Sequence, residues 1–262
     1  MIIDKVKYIE HIQDKTQHLP MRKIVDKVER VLKYHEVECT DFLDPYQVRL
    51  SHSILNRFDV NFYEEGGINS AERKSLVIFP EYMTKDTIEI PIKALKISGN
   101  FKFTDLTHRD YLGAILGLGI KREKVGDILI HEDFSQVIVH EDLVDYILYN
   151  LKYIGKEPVK IDEIKLDSVI EINQEYKEIN ITIASPRLDA FISEVCNLSR
   201  SKSLLAITQG KVKVNWQPIT NSSYKVGEGD TISIRGFGRI KIAKDLGITK
   251  KGRDKMTIRI LK

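Results

Sequence analysis

Residues able to act as acids, bases or nucleophiles are scattered along this 262-residue chain. His108 and Asp110 flank Arg109 in THRDYLG and could suggest acid–base work, but a His and an Asp this close are a common coincidence at a polar helix start. Gly117-x-Gly119 invites a dinucleotide reading; it lacks a third glycine three residues on, and it follows a helical pattern where it should follow a strand. No GxxxxGK[ST] run occurs, so phosphate handling by a P-loop has no support. Cys39 and Cys196, the two cysteines, stand apart from any Cys-x-x-Cys or Cys/His spacing and imply neither zinc nor a disulfide framework. The expectation is a chain with no catalytic residue, no cofactor and no metal.

The chemistry with a pattern behind it is anion binding. Arg200 and Lys202 fall in the first turn of a helix, where the macrodipole disfavours cations but free backbone N–H groups suit a phosphate. Arg187, Lys211 and Lys213 come from the neighbouring elements, and the five cations are expected to converge on one helix–strand corner.

The elements that must hold this corner can be read from spacing. Ser185-Pro186 reads as an N-cap and first turn, with Leu188, Phe191, Ile192 and Val195 on one helical face. Ser199 is placed to cap a second helix over Arg200 to Gln209, in which Leu204 and Ile207 recur at helical spacing and Gly210 provides the stop. The period then changes to alternation, with Val212 and Val214 on one strand face and Lys211 and Lys213 on the other. A turn at Gly229-Asp230 leads to a second alternating run at Thr231 to Arg235.

RLD at 187–189, SRSK at 199–202, GKVKVN at 210–215 and the Gly229-Asp230 pair together resemble an S4 RNA-binding domain. The resemblance implies an αL-type fold whose two helices lie on structured RNA. It implies an RNA face of Arg187, Arg200, Ser201, Lys202, Lys211, Lys213, Asn215, Arg235 and Arg239.

Composition is that of an ordinary globular chain, 42% hydrophobic and 30% charged, but the charge is divided. From Ala184 onward there are 16 Lys and Arg against 6 Asp and Glu, a net of +10, while residues 1–183 carry a net of −7. A basic end on an acidic body orients the molecule toward a polyanion by that end. No 18-residue apolar span occurs, and charges interrupt every apolar run of the opening MIIDKVKYIEH, so a cytoplasmic protein with no membrane partner is expected.

Before the basic end, the pattern gives an α+β module over 1–82, mostly helical at first, then a helix over Tyr46 to Phe58 and strands at Val60 to Tyr63 and Ser75 to Phe79. The next module, 83–165, reads as β-α-β-β-α-β, the split βαβ order of RNA-recognition motifs and of many ferredoxin-like enzymes. Phe134 is the one aromatic on its third strand, so weak or atypical single-strand binding is expected there. Gly113 and Gly117 suit close helix packing, and Lys121, Arg122 and Lys124 form a basic loop near Arg109. His108, Arg109, Lys121, Arg122 and Lys124 are thus a second candidate RNA surface. The acidic stretch 166–180 reads as a linker, and 181–262 as the S4 domain with a basic extension in which Lys244, Lys250, Lys251 and Arg253 form a loop between strands. The fold class is α+β in three small modules.

With Gly66-Gly67, AER at 71–73, LTHRDYLG at 106–113 and GLGIKREKVGDI at 117–128, the chain resembles the YlmH-type family along nearly its whole length. These are bacterial S4-domain proteins encoded near division genes. The resemblance implies an N-terminal domain, an RNA-recognition-like middle domain and a C-terminal S4 domain. Its implied role is non-catalytic, on large ribosomal subunits obstructed by peptidyl-tRNA, in ribosome-associated quality control. The implied partners are large-subunit ribosomal RNA and, as a further candidate, tRNA, with the protein monomeric off the ribosome. In FLDP at 42–45, Tyr46 follows where the family pattern has a basic residue. Two other classes compete. The RLD is similar to a pseudouridine synthase motif, but it opens a helix of the S4 domain itself; a methyltransferase would show a glycine-rich loop after a strand, and none is seen. A division-associated scaffold follows only from the family's gene context.

Overall fold

The computed structural model describes residues 3–101, 104, 106–172 and 175–261. They form two compact units, Met1–Ile172 and Asn173–Lys262.

The first unit opens with helices α1 (Lys5–Ile9), α2 (His18–Tyr34) and α3 (Pro45–Leu55), which pack on a three-stranded sheet of order β1-β3-β2, from β1 (Glu38–Cys39), β2 (Val60–Glu65) and β3 (Ser75–Pro80). The helical spacing of Met21, Ile24, Val25, Val28 and Val31 is realised as one buried stripe of α2. The FLDP motif explains its own helix start. Asp44 accepts from the Gln47 N–H at 2.9 Å while the Gln47 side chain accepts from the Asp44 N–H at 3.2 Å, and Pro45 takes the first helical position. Tyr46 is buried, so that position offers no contact surface for RNA.

A five-stranded sheet follows, built from β4 (Ile92–Gly99), β5 (Val125–Ile130), β6 (Phe134–His140), β7 (Tyr153–Ile154) and β8 (Glu157–Ile164), in the order β5-β6-β4-β8-β7. Helices α4 (His108–Gly117) and α5 (Val144–Asn150) cross one face over Leu95, Ile97, Val137 and Val139. The element order is the split βαβ arrangement expected, although β4 begins at Ile92 and the preceding Ile88 to Pro91 is not strand.

The face free of helices is the one on which an RNA-recognition motif stacks bases. Here Phe42 packs with Ile92, Ala94 and Ile138, and Leu166 and Val169 lie against the same cluster. Phe134 further along that face stacks on His131 at 4.4 Å and carries Lys96 at 4.5 Å. The central strands of this sheet are therefore closed to base stacking by the protein's own side chains.

The joint between the two sheets uses two of the motifs that carry the family resemblance. The Asp127 carboxylate accepts from the backbone N–H groups of Glu72 at 2.6 Å and Arg73 at 3.2 Å. The Arg73 guanidinium donates to the carbonyls of Phe42 at 2.6 Å and Val125 at 3.2 Å. Phe42 N–H reaches the Glu123 carbonyl at 2.7 Å. Gly126 lets the Phe42 ring approach: a Cβ there would lie 2.9 Å from it.

The stretch expected as a linker is mostly built into structure. Leu166–Ser168 forms a 3₁₀ turn, Ser168 and Ile170 are tied to the Gln136 side chain, and the Asn69 N–H donates to Glu171 at 3.3 Å. From Tyr176 the chain is already strand, because Ile179, Ile181 and Ile183 alternate into the core of the second unit.

That unit is a six-stranded antiparallel sheet of order β11-β10-β12-β13-β14-β9. Its strands are β9 (Tyr176–Ile183), β10 (Val212–Val214), β11 (Gln217–Pro218), β12 (Thr231–Ile234), β13 (Gly238–Ile248) and β14 (Asp254–Leu261). Helices α6 (Leu188–Val195) and α7 (Arg200–Thr208) cover one face, over Val212, Val214, Ile232, Ile240, Ile242, Met256 and Ile258. Lys244 lies within β13 and not in a loop; Lys250, Lys251 and Arg253 fall in the β13–β14 connection.

Candidate nucleic-acid interface

Helix α6 starts later than its sequence suggests. Arg187, not Ser185, is the N-cap, because the preceding backbone is bound in extended form to a distant segment. Val226 N–H donates to the Pro186 carbonyl at 2.8 Å, Leu188 N–H to that of Tyr224 at 2.8 Å, and Arg187 bridges Lys225. Arg187 then forms a two-pronged ion pair with Asp189, at 3.0 and 2.8 Å. The hydrogen bonds from Arg187 hold the Asp189 carboxyl below its ordinary range, and the charge of Arg200 acts in the same direction. Arg187, Asp189 and Arg200 are therefore one electrostatic cluster at the start of the two helices.

Helix α7 begins where expected. Lys202 N–H donates to the Ser199 Oγ at a long 3.4 Å, and Ser201 Oγ lies 3.1 Å from Ser199 Oγ. Gly210 follows the helix at φ +67°, a conformation other residues adopt at a cost. Arg200, Ser201 and Lys202 are exposed at the first turn, where the free N–H groups lie. Of the two apolar positions at helical spacing, Ile207 is buried; Leu204 is 45% exposed, and its neighbour Leu205 is 54% exposed. The outward side of α7 thus presents two leucines beside its cations.

The expected convergence of five cations does not occur. Nine residues of α-helix rise about 13 Å, so Lys211 lies beyond the far end of α7 from Arg200. Lys213 lies between Val212 and Val214, which face the helices, and so it points from the opposite side of the sheet. Arg235 is exposed just after β12, and Arg239 sits 5.2 Å from the Trp216 ring. Asn215 has a structural task. It opens a two-residue hairpin turn in which Asn215 and Trp216 have φ of 48° and 66°, donates to Asp230 at 2.7 Å and accepts from the Thr231 N–H at 2.9 Å.

The second candidate surface loses two of its five residues. Arg122 is turned inward onto the carbonyls of Val125 and Gly126; burial, reinforced by Arg73, lowers its pKa to about 10. Lys124 is held between Asp41 at 3.3 Å and Asp142 at 3.0 Å. His108, Arg109 and Lys121 are exposed. Gly113 and Gly117 are not packing positions, since a Cβ at either would meet nothing within 4 Å; they floor an open groove of about 560 Å³ beside Arg109, Lys152 and Tyr153. Among the described residues, no cluster of three or more His, Cys, Asp or Glu could hold a metal, and no helix is long and apolar enough to cross a membrane.

Two helices laid on one side of a basic antiparallel sheet, with arginine and lysine in the first turn of the second helix, define an RNA-binding protein of the S4 class. Family models described as the S4 domain, the putative RNA-binding domain in YlmH and the YlmH N-terminal domain match residues 186–232, 86–168 and 17–83. A Bacillus subtilis (strain 168) relative, "Ribosome-associated protein quality control protein P2", is 37% identical over 230 residues, covering 87% of this chain and 88% of that protein. The chain belongs to the YlmH family. A solved structure titled "Cell division protein ylmH from Streptococcus pneumoniae" matches in fold at a TM-score of 0.53 and 24% identity, over 60% of this chain and 96% of that one.

Proposed function

We propose that this protein is a non-catalytic factor that binds the large ribosomal subunit through its ribosomal RNA, with tRNA as a further contact, in the quality control of stalled translation. The observation that carries the reading is the exposed Arg200-Ser201-Lys202 turn at the start of α7, set against the net charge of +10 from Ala184 onward. The B. subtilis relative, named for ribosome-associated quality control, supports the same assignment. Phosphate contacts position such a module on structured RNA.

Sedimentation of the full chain through a sucrose gradient at low salt tests the reading. Wild-type protein should co-migrate with free large subunits, and Arg200→Glu/Lys202→Glu should move to the soluble fractions while keeping its thermal stability, since both side chains are exposed. Wild-type protein confined to the soluble fractions would overturn the assignment.

A further inference from the structure

The cross-strand register of the second unit shows what occupies the sheet face turned away from α6 and α7. Lys213 lies opposite Ser233, which lies opposite Arg239. Thr231, Lys241, Arg259 and Glu178 form the next row, and Lys244, Thr257 and Asn180 another, with Lys255 opposite Thr182. Residues directly opposite one another share a face, so Lys213, Arg239, Lys241, Lys244, Lys255 and Arg259 all stand on this one. Glu178, paired with Arg259 at 2.9 Å, is the one carboxylate in these rows. The positions between the cations are hydroxyl or amide residues: Ser233, Thr231, Thr257, Asn180 and Thr182. Two residues on from Arg259 and Glu178, Leu261 lies opposite Tyr176 and closes the face at that end with one apolar pair, while the rows between are polar.

Two features mark this as more than a solvated surface. Lys241 lies directly across from Arg259, and like charges directly opposite destabilise a sheet; Glu178 offsets one of the two, so the row keeps a net positive charge. The cations also form a compact field. The strands β10 and β14 are three spacings apart, about 14 Å, and Lys255 to Arg259 runs a similar distance along β14; the register sets Lys255 about 20 Å along the strand from the row of Lys213, so the field measures about 25 Å at its longest. Alternating ammonium, guanidinium and hydroxyl groups suit phosphate oxygens and ribose hydroxyls.

We propose that the helix-free face of the C-terminal sheet is a second RNA-backbone surface, so that the unit has one RNA-binding side on its helices and another on its sheet. The proposal rests on the RNA-binding reading above and adds a site that the S4 motifs do not mark. It gives Lys213 and Arg239 a place in binding that the helix corner does not.

The test uses the full chain and a fluorescein-labelled RNA hairpin, with anisotropy titrations over a series of salt concentrations. Lys241→Glu/Lys255→Glu alters the sheet face and Arg200→Glu/Lys202→Glu the helix side. Circular dichroism and the emission of Trp216, the one tryptophan in the chain, check that each variant is folded. Lys241→Gln/Lys255→Gln, which removes charge without reversing it, is the second sheet variant. Each sheet variant should lower the slope of log affinity against log salt by about 0.7 to 0.9 per lost phosphate contact. Its effect should add to that of the helix variant, and native mass spectrometry at excess hairpin should show two RNA molecules per wild-type chain and one per variant. Sheet variants with wild-type slope and stoichiometry, beside a weakened helix variant, would overturn this proposal and leave the helix reading standing. Loss in the sheet variants alone would uphold the sheet surface and overturn the helix anchor.

Discussion

Arg73 is the residue whose removal should most clearly separate architecture from RNA contact. Its guanidinium ties the Phe42 carbonyl to that of Val125, and its own N–H, with that of Glu72, binds Asp127. Burial lowers the Arg73 pKa and raises that of Asp127, so each group is held charged largely by its partners. Asp127 keeps its two backbone N–H partners when the Arg73 side chain is removed, but the Phe42 carbonyl loses its donor, and leaving a buried group unpaired typically costs about 1 to 3 kcal/mol. Arg73→Ala should therefore destabilise the first unit by about 2 to 3 kcal/mol, which for a body of this size lowers Tm by roughly 4 to 12 °C. Arg122→Ala should cost less: the Val125 carbonyl keeps its bond from Arg73, and the repulsion between two neighbouring guanidiniums is relieved. Thermal unfolding by circular dichroism gives the size of the loss. Hydrogen exchange by mass spectrometry gives its place, with faster exchange expected in peptides covering 36–45 and 122–130. A loss under about 1 kcal/mol with unchanged exchange in those peptides would show that the Arg73 side chain does not hold the two sheets together.

Gly126→Ala should destabilise the same joint by about 1 to 3 kcal/mol, read from chemical denaturation, since the added methyl meets the buried Phe42 ring at 2.9 Å and Ile138 at 3.2 Å. Cys39 and Cys196 should label slowly with a disulfide reagent at neutral pH. Burial pushes both thiols up to about 11, so the reactive thiolate is scarce until pH approaches that value, and the labelling rate should rise with pH well past the range of a free cysteine.

Local pattern was informative wherever the partner of a residue lies nearby in sequence. Ser199 as a cap, Gly210 as a stop, and the β-α-β-β-α-β order of the middle module depend on neighbours within a turn or a strand, and all three are present. Ser185-Pro186 misled because the competing partner, 222–226, is remote; its hydrogen bonds hold the segment extended. Arg122 and Lys124 read as a basic loop since nothing in the local sequence announces Asp41, Asp142 or the carbonyls that bind them. The alternation of Ile179, Ile181 and Ile183 was a legible strand signal, obscured by the acidic residues before it. Lys241, Lys255 and Arg259 were legible as outward-facing residues of strands; that they share a face with Lys213 required the strand order. Leu204 and Ile207 share helical spacing, but the narrow buried side of α7 holds Ser203 and Ile207 and leaves Leu204 outside.

The sheet of the second unit is opened by β9 and closed by β14, which lie side by side, with Tyr176 across from Leu261 and Ile183 across from Asp254. This geometry has a mechanical meaning. Tension between Tyr176 and Leu261 pulls on the outermost pair of an antiparallel ladder, so its hydrogen bonds would break one after another, as in a zipper, and never share the load. Tension between Ile183 and Leu261 loads the same strands in shear, and all the bonds between them resist together. The same pairing is thus compliant along one direction of pull and stiff along another.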